Sequence, residues 1–235
     1  MKFGVVVFPG SNCEDDAYYV LNELCGQKVE KIWHKENELP GFTEDDCIIL
    51  SGGFSFGDYM RPGAIAGVAP IMEAVRKHAD SGGYVLGICN GFQILCEAGL
   101  LPGVLTRNIN QKFISKLINV RTETIRTRLT GQLKEGQVIH LPVAHGNGRY
   151  YCDEETLKEL KQNDQILFRY CNSEGTADEA SNRNGSVYGI AGICNKSRNV
   201  FGIMPHPERA SESVTGLTEG LALFEGLIKA AAEQV

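Results

Sequence analysis

The sequence predicts an α/β fold in which a mostly parallel sheet is flanked by helices and carries an antiparallel extension. In the first hundred residues, short apolar runs alternate with helical patterns, and such near-continuous apolar strands are typical of a parallel sheet covered on both faces. Beyond residue 112 the strand patterns become denser, which indicates antiparallel pairing. No linker, repeat or low-complexity segment interrupts the chain, so residues 1–235 are predicted to form a single domain.

The first half of the chain supplies four predicted strands and three helices. The strands are Lys2–Phe8, Val29–Trp33, Cys47–Leu50 and Tyr84–Ile88. The first helix carries Val20, Leu21 and Leu24 on its apolar side. The second begins at Pro70, because proline is favoured in the first turn of a helix. The third, FQILCEA, continues directly from the fourth strand.

The second half is richer in strands. FISKLINV, IHLPVA and ILFRY are strand candidates, and a helix is predicted near Glu154–Lys161. GIAGICN and NVFGIMP flank the polar turn at 196–198, a pattern typical of a hairpin. A final helix is predicted from one apolar face with alternating spacings of four and three, made of Leu217, Leu221, Phe224, Ile228 and Ala231.

Composition and charge exclude several classes of function. Hydrophobic residues make up 43% and charged residues 22% of the chain, and the net charge is −6. The densest basic stretch, Lys112–Arg128, is broken by Glu123 and by apolar residues, which favours a solvated strand face over a phosphate-binding surface. The apolar run Phe3–Phe8 is too short for a signal peptide or a membrane span. We therefore expect a cytoplasmic protein that binds neither nucleic acid nor membrane.

The eight cysteines show no metal-binding or redox pattern, because no pair has the C-x-x-C spacing. A chain of this size without an export signal needs no disulfides. We expect most of these thiols to be small buried hydrophobic groups and expect no metal in this chain. One cysteine differs from the others.

Cys89 lies in the motif Gly87–Gly91, GICNG, which is the G-x-S-x-G nucleophile elbow with cysteine in place of serine. A predicted strand ends at Ile88 and a helix begins just after Cys89, as the elbow requires. The flanking glycines avoid collisions with neighbouring backbone, and a helix N-terminus stabilises a thiolate. The alternative is a buried cysteine in a glycine-rich turn, and the motif in this context favours a nucleophile.

A thiol nucleophile needs a base, and His206 in MPHPE is the candidate. The proline that follows favours an extended backbone at His206, and residues two apart in an extended chain project to the same side. Glu208 is therefore expected to bond the far nitrogen of the imidazole. The alternative is a proline-rich turn with a surface histidine. His34, His78 and His140 have no partner at a suggestive spacing and are expected to be surface or core residues.

GICNGFQ followed far downstream by PHPE resembles the triad (class I) glutamine amidotransferases. Narrower motifs, GGFSFGDY and AHGNGRYY, are similar to those of the glutaminase subunits of phosphoribosylformylglycinamidine synthases. Matching segments run from residue 8 to residue 210. The resemblance implies a flavodoxin-like sheet and a catalytic triad of Cys89, His206 and Glu208. One departure is Asn147, where an acidic residue is expected.

The resemblance also implies the remaining site residues. The backbone amide of Asn90, just past the nucleophile, is a candidate oxyanion donor, and Gly53 or Phe54 in the loop after Cys47–Leu50 is the second. Gln93 lies one helical turn past Cys89 and is expected to contact glutamine, although a solvated helix residue would look the same in sequence. Further glutamine contacts are expected from three residues, Asn108, His145 and Gly146.

The implied reaction releases ammonia from glutamine and passes it to a large synthetase subunit, in some organisms with a third small subunit. That partner converts formylglycinamide ribonucleotide to formylglycinamidine ribonucleotide in purine biosynthesis. No G-x-x-x-x-G-K-[ST] motif is present, so we expect ATP and Mg²⁺ on the partner and no cofactor in this chain.

Two other hypotheses are compatible with the sequence. The first is another cysteine-elbow enzyme, either a γ-glutamyl hydrolase or a peptidase or deglycase of the family related to the parkinsonism-associated chaperone. Many of that last group place histidine directly after the cysteine, whereas this chain has Asn90. The second is a degenerate amidotransferase that acts only as an interaction subunit, which the intact Cys89, His206 and Glu208 oppose.

Overall fold

The framework of the protein is a central sheet with helices against it, seen in a computed structural model that describes residues 1–232. The strands are β1 (Lys2–Val7), β2 (Lys28–Trp33), β3 (Cys47–Leu50), β4 (Tyr84–Ile88), β5 (Val104–Thr106), β6 (Ile114–Thr122), β7 (Val138–His145), β8 (Arg149–Tyr151), β9 (Ile166–Cys171), β10 (Ile190–Cys194) and β11 (Val200–Ile203). The helices are α1 (Glu14–Tyr19), α2 (Ile71–Asp80), α3 (Asn90–Glu97), α4 (Glu154–Gln162) and α5 (Leu221–Ala232). In this described part, none of the helices has the length and apolar character needed to cross a membrane.

The main sheet has a parallel half and an antiparallel half. Its order is β2-β1-β3-β4-β11-β10-β9-β6-β7. The pairs from β2 to β11 are parallel. Those from β11 to β7 are antiparallel, including the β10–β11 hairpin. The predicted α/β class, with a mostly parallel sheet and an antiparallel extension, is confirmed.

The parallel half brings three chain segments to one edge. Leu50 at the end of β3 pairs with Gly87 of β4, and Ile203 at the end of β11 pairs with Ile88. The carboxyl ends of β3, β4 and β11 are therefore level with one another. Whatever follows these three strands meets at the same edge of the sheet, which is where ligands bind in open α/β sheets.

Helix α1 continues into a π-helical turn at Val20–Leu24. Val20 and Leu21 are buried and Leu24 packs against the core, as the predicted apolar side requires. Helix α2 begins immediately after Pro70, in agreement with the proline signal.

The apolar face of α5 was predicted incorrectly in part. Its fully buried hydrophobic side chains are Leu223, Phe224 and Leu227. Leu217 precedes the helix, Leu221 and Ile228 pack against the core only partly buried, and the side chain of Ala231 lies outside the described residues. The reason is Gly226, where an added Cβ would lie 2.4 Å from the carbonyl oxygen of Arg128. This close approach turns the glycine side of the helix inward.

A second, two-stranded sheet was missed. β5 pairs with β8 antiparallel, and each strand has three residues, too few for a periodic signal. This sheet buries Tyr150, whose ring stacks on Phe92 of α3 with centroids 5.9 Å apart. The Tyr150 hydroxyl donates to the carbonyl of Pro102 at 2.9 Å. The small sheet therefore supports the helix that follows Cys89.

All eight cysteines are free, and seven are buried, with Cys25 half-buried. The prediction that most are small buried hydrophobic groups is confirmed. Of the histidines without a predicted partner, His34 and His78 are buried, and His140 is bonded to Glu219 at 2.9 Å.

Candidate active site

Cys89 lies in a strained turn between β4 and α3. Its backbone has φ 51° and ψ −102°, a region that a residue with a Cβ seldom adopts. Its amide donates to the carbonyl of Ile203 at 2.7 Å, which anchors the turn to the end of β11. Strained non-glycine residues persist only where surrounding contacts hold them, and they cluster at active sites.

The flanking glycines are required by their surroundings. A Cβ on Gly91 would lie 1.8 Å from the carbonyl oxygen of Leu50, and one on Gly87 would lie 2.6 Å from the carbonyl carbon of Gly91. The first turn of α3 therefore packs directly on the ends of β3 and β4. This is the sharp strand-to-helix turn that the GICNG motif predicts.

His206 and Glu208 form a buried pair in the turn after β11. The Nδ1 atom of His206 lies 2.5 Å from Oε1 of Glu208, and both residues are buried. The His206 amide donates to the carbonyl of Pro142 in β7, at 2.9 Å, which fixes the turn against the sheet. The side chains of His206 and Glu208, two residues apart, do meet as predicted, and the alternative of a surface histidine is wrong.

The charges around His206 favour its protonated form. Burial by itself lowers the pKa of the imidazole, but the nearby Glu208 and Cys89 raise it, and the net result is a pKa well above its ordinary value. With Nδ1 engaged by Glu208, the buried Nε2 atom has no partner in the described structure. An imidazole with one nitrogen fixed by a carboxylate and the other free is arranged to exchange a proton at the free nitrogen.

Cys13 is a second thiol at this site that the sequence analysis missed. Potential metal-ligating atoms of Cys13, His206 and Glu208 all lie within 4.8 Å of one another. Arg209 opposes a cation there, because its Nη2 lies 3.0 Å from the Cys13 sulfur. Burial raises the pKa of the Cys13 thiol. The available signal was its place in FPGSNC, directly after β1.

The loop after β3 approaches His206 closely. A Cβ on Gly52 would lie 2.7 Å from Cε1 of His206. Gly53 has φ 130° and pairs with Ser11 in an isolated bridge, and a Cβ there would lie 2.6 Å from the amide nitrogen of Asn12. Both glycines are therefore required by close contacts. Phe54, the other predicted source of an oxyanion donor, is exposed beside them.

Asn90 and Gln93 form a polar network across the start of α3. Asn90 Oδ1 accepts from the Ser55 amide at 3.1 Å, and its Nδ2 donates to Gln93 Oε1 at 2.8 Å. Gln93 Nε2 in turn donates to the carbonyl of Asn147 at 2.7 Å. Gln93 is buried, so the alternative of a solvated helix residue is wrong. Because Gln93 contacts the backbone carbonyl of residue 147, this hydrogen bond does not depend on which side chain stands at that position.

Asn108 supports His145 from inside the protein. Its Nδ2 donates to the carbonyls of Lys112 and His145, at 2.8 and 2.9 Å, and its Oδ1 lies 3.1 Å from His145 Nδ1. The backbone amide of Asn108 also donates to the backbone carbonyl of Gly146 at 2.9 Å. Burial and the nearby His206 lower the pKa of His145 to about 4, so its imidazole is neutral at neutral pH. Asn108 is thus placed to position His145, and direct contact of either with glutamine stays a prediction.

Comparison with known proteins assigns the chain to a family. The model of the CobB/CobQ-like glutamine amidotransferase domain matches residues 1–218. The chain belongs to this family. This glutamine amidotransferase is 52% identical over 234 residues to phosphoribosylformylglycinamidine synthase subunit PurQ of Koribacter versatilis, with full coverage of both chains. It is 51% identical over 228 residues to the subunit PurQ of Aquifex aeolicus, covering 97% of this chain and 99% of that protein.

The solved structures agree with the sequence comparisons. The structure of PurLQS from Thermotoga maritima contains a chain that matches with a TM-score of 0.85 at 40% identity, covering 97% of this amidotransferase and 98% of that chain. Another glutamine amidotransferase from Thermotoga maritima, 13% identical with a TM-score of 0.58, shares the fold over 99% of this chain and 98% of its own. The resemblance to the amidotransferase components of phosphoribosylformylglycinamidine synthase is confirmed, and the γ-glutamyl hydrolase and peptidase readings are set aside.

Proposed function

We propose that this amidotransferase hydrolyses glutamine to glutamate and ammonia through a triad of Cys89, His206 and Glu208. The observation that carries the proposal is the buried pair of His206 and Glu208, 2.5 Å apart, beside a cysteine held in a strained elbow. Nucleophile, base and orienting acid are the three groups that acyl transfer from an amide requires. The intact set also weighs against a purely structural subunit.

In the proposed reaction, Cys89 loses its proton to Nε2 of His206 and attacks the side-chain carbonyl carbon of glutamine. Glu208 stabilises the imidazolium and keeps its Nδ1 atom oriented. The imidazolium then gives its proton to the departing nitrogen, so that ammonia leaves and a glutamyl thioester remains. Water, deprotonated by the same imidazole, attacks the thioester carbonyl. The carbon–sulfur bond then breaks, glutamate is released, and the Cys89 sulfur recovers the proton from the imidazolium.

The tetrahedral intermediates carry an oxyanion that needs backbone donors. We assign these to the amide of Asn90, at the N-terminus of α3, and to Gly53 or Phe54 in the loop after β3. The level ends of β3 and β4 support this assignment, because they place the loop and the nucleophile at one edge. In other hydrolases, removal of one such donor lowers turnover by about a hundred- to a thousandfold.

The ammonia is proposed to pass to a large ATP-dependent subunit that converts formylglycinamide ribonucleotide to formylglycinamidine ribonucleotide in de novo purine biosynthesis, in the cytoplasm. Relatives named as synthase subunit PurQ and the PurLQS structure support a complex with PurL, to which a third small subunit can belong. Exposed Phe54, Tyr59 and Met60 in the loop after β3 offer apolar surface for docking beside the site. ATP and Mg²⁺ are assigned to the partner, and no cofactor to this chain.

The proposed nucleophile is tested with Cys89→Ser in the assembled synthase. We expect glutamine-dependent synthesis to be abolished, because a serine hydroxyl is far less acidic than a thiol. Synthesis from an ammonium salt should persist, since the acceptor site lies on the partner. Cys96→Ser, which alters a buried thiol of α3, the helix that follows Cys89, is the matched control and should keep both activities. Glutamine-dependent turnover by the Cys89→Ser complex would remove Cys89 from the nucleophile role.

Partner control is tested by measuring glutaminase activity of the chain alone and with PurL, ATP, magnesium and formylglycinamide ribonucleotide. We expect the chain alone to be a poor glutaminase, because an uncoupled site would waste glutamine. The loop around Gly53 is the proposed point of control, where rotation of one peptide would remove an oxyanion donor. A chain that already reaches the rate of the full assembly would show that the partner does not activate it.

A further inference from the structure

Asp58 occupies an unusual backbone position in the loop after β3. Its φ is 56°, and the same left-handed region is occupied by Phe56, Gly57 and Met60, with φ between 52° and 68°. Strained non-glycine residues persist only where surrounding contacts hold them, and they cluster at functional sites. The loop that carries Asp58 is the one that brings Gly52 against His206.

The Asp58 carboxylate has no cationic partner among the described residues. Its hydrogen-bond contact is with Nδ2 of Asn90, at a long 3.5 Å. The nearest arginine in sequence, Arg61, is committed to both carboxylate oxygens of Glu97, at 2.6 Å each. Burial alone raises the pKa of Asp58 to about 6, with no neighbouring positive charge to oppose it. A half-buried carboxylate of this kind gains stability from any cation that reaches it.

Its location links it to the nucleophile. Asn90 follows Cys89 directly in the chain, and it holds the Asp58 loop through the Ser55 amide as well as through the contact with the carboxylate. The other acid at the site, Glu208, is already bonded to His206, and His145 is neutral with its Nδ1 on Asn108. Asp58 is therefore an acid in contact with the residue that follows Cys89, and its carboxylate has no charged partner among the described residues.

We propose that Asp58 is a specificity-determining residue that binds the α-ammonium group of substrate glutamine. The proposal rests on the proposed glutaminase function and names how the site selects its amide. Glutamine differs from other primary amides in the charged groups at its α carbon, two methylenes away from the amide. A site whose buried polar group pairs with a substrate group strongly rejects the analogue that lacks that group.

The test compares glutamine with glutaramate, which is glutamine without its α-amino group, in the assembled complex with PurL. Asp58→Asn removes the charge and keeps an amide able to bond Asn90, and asparagine tolerates the left-handed backbone. Loss of a charged hydrogen bond predicts a fall of roughly 10- to 100-fold in kcat/KM for glutamine. The kcat/KM for glutaramate should stay within about twofold, so the preference for glutamine collapses by the same factor.

Asp164→Asn is the matched control, because Asp164 also has a left-handed backbone (φ 52°) but pairs with Arg126 at 2.9 Å on the surface. It should leave both substrates unchanged. Three results for Asp58→Asn would overturn the role of Asp58. They are an equal fall in kcat/KM for glutamine and glutaramate, no fall for either substrate, and weaker binding of PurL with an unchanged preference for glutamine. A wild-type complex that makes product from ammonium but no glutamate from glutamine would instead refute the proposed glutaminase function.

Discussion

Gly91→Ala tests whether the elbow is held by packing of α3 on β3. In an exposed helix this substitution stabilises the protein by about 1 kcal/mol, because alanine is the better helix former. Here the new Cβ would lie 1.8 Å from the Leu50 carbonyl oxygen, about 1.6 Å short of the 3.4 Å at which ordinary contact begins. The opposing atom is backbone, so no side-chain rotation relieves the clash.

The expected cost is about 3 kcal/mol, the upper part of the usual range for overpacking. For a chain of this size that corresponds to a fall in Tm of roughly 6–12 °C. Activity should fall further, because relief of the clash displaces Leu50 and with it the loop that carries the proposed oxyanion donor. A misplacement of about 1 Å can cost on the order of a hundredfold in turnover.

The assays are thermal unfolding of the chain and glutamine-dependent turnover of the assembled synthase. Gly99→Ala is the control, since Gly99 has φ 70° and nothing within 4 Å of an added Cβ. It should lose about 1–2 kcal/mol through backbone strain and keep its turnover. A Gly91→Ala chain with the wild-type Tm and wild-type turnover would refute the packing argument.

Three further predictions concern the site. His206→Ala should lower glutamine-dependent turnover by at least roughly a thousandfold and Glu208→Gln by less, because an orienting acid often costs less than the base it supports; equal rates for wild type and His206→Ala would reject the assignment. A glutamine analogue with an electrophile at the δ carbon should label Cys89 alone in peptide mass mapping, and equal labelling of Cys13 would contradict selective activation. Because the folded pKa of His145, about 4, lies below its unfolded value, its contribution to stability is present above pH 6.5 and is lost as pH falls towards 4. The free energy of unfolding of wild type should therefore fall over this window by roughly 3 kcal/mol more than that of His145→Gln, and identical pH slopes would rule this out.

The parallel half of the sheet was predictable because a strand that is buried on both faces consists of a continuous run of apolar residues. β1, β3 and β4 are such runs, and the spacing between them leaves room for helices. The small β5–β8 sheet was not predictable, since its strands gain their stability from Tyr150 and Phe92 rather than from their own pattern. The inward face of α5 was also hidden, because the contact that sets it is made by a glycine.

The positions of the three proposed triad residues could be predicted because these residues lie in short motifs whose local geometry is nearly fixed. A strand-turn-helix elbow places Cys89 at the end of β4, and a spacing of two residues in an extended chain places Glu208 beside His206. Cys13 and Asp58 were missed for the opposite reason. Both lie in loop segments, and their significance depends on which loops meet in three dimensions, which a lone cysteine or aspartate does not indicate.

The strained backbone of Cys89 and the position of His206, its proposed base, share one origin. The unfavourable backbone of Cys89 is held by a hydrogen bond from its amide N–H to the carbonyl of Ile203, three residues before His206. That bond continues the ladder between β4 and β11, so the proposed nucleophile and the proposed base are positioned by the same strand pairing. A one-residue slip of β11 would break the bond that holds the elbow and move the imidazole away from the thiol at once. Because β11 is buried and paired on both sides, such a slip is strongly opposed, and the sheet order itself keeps the proposed triad in register.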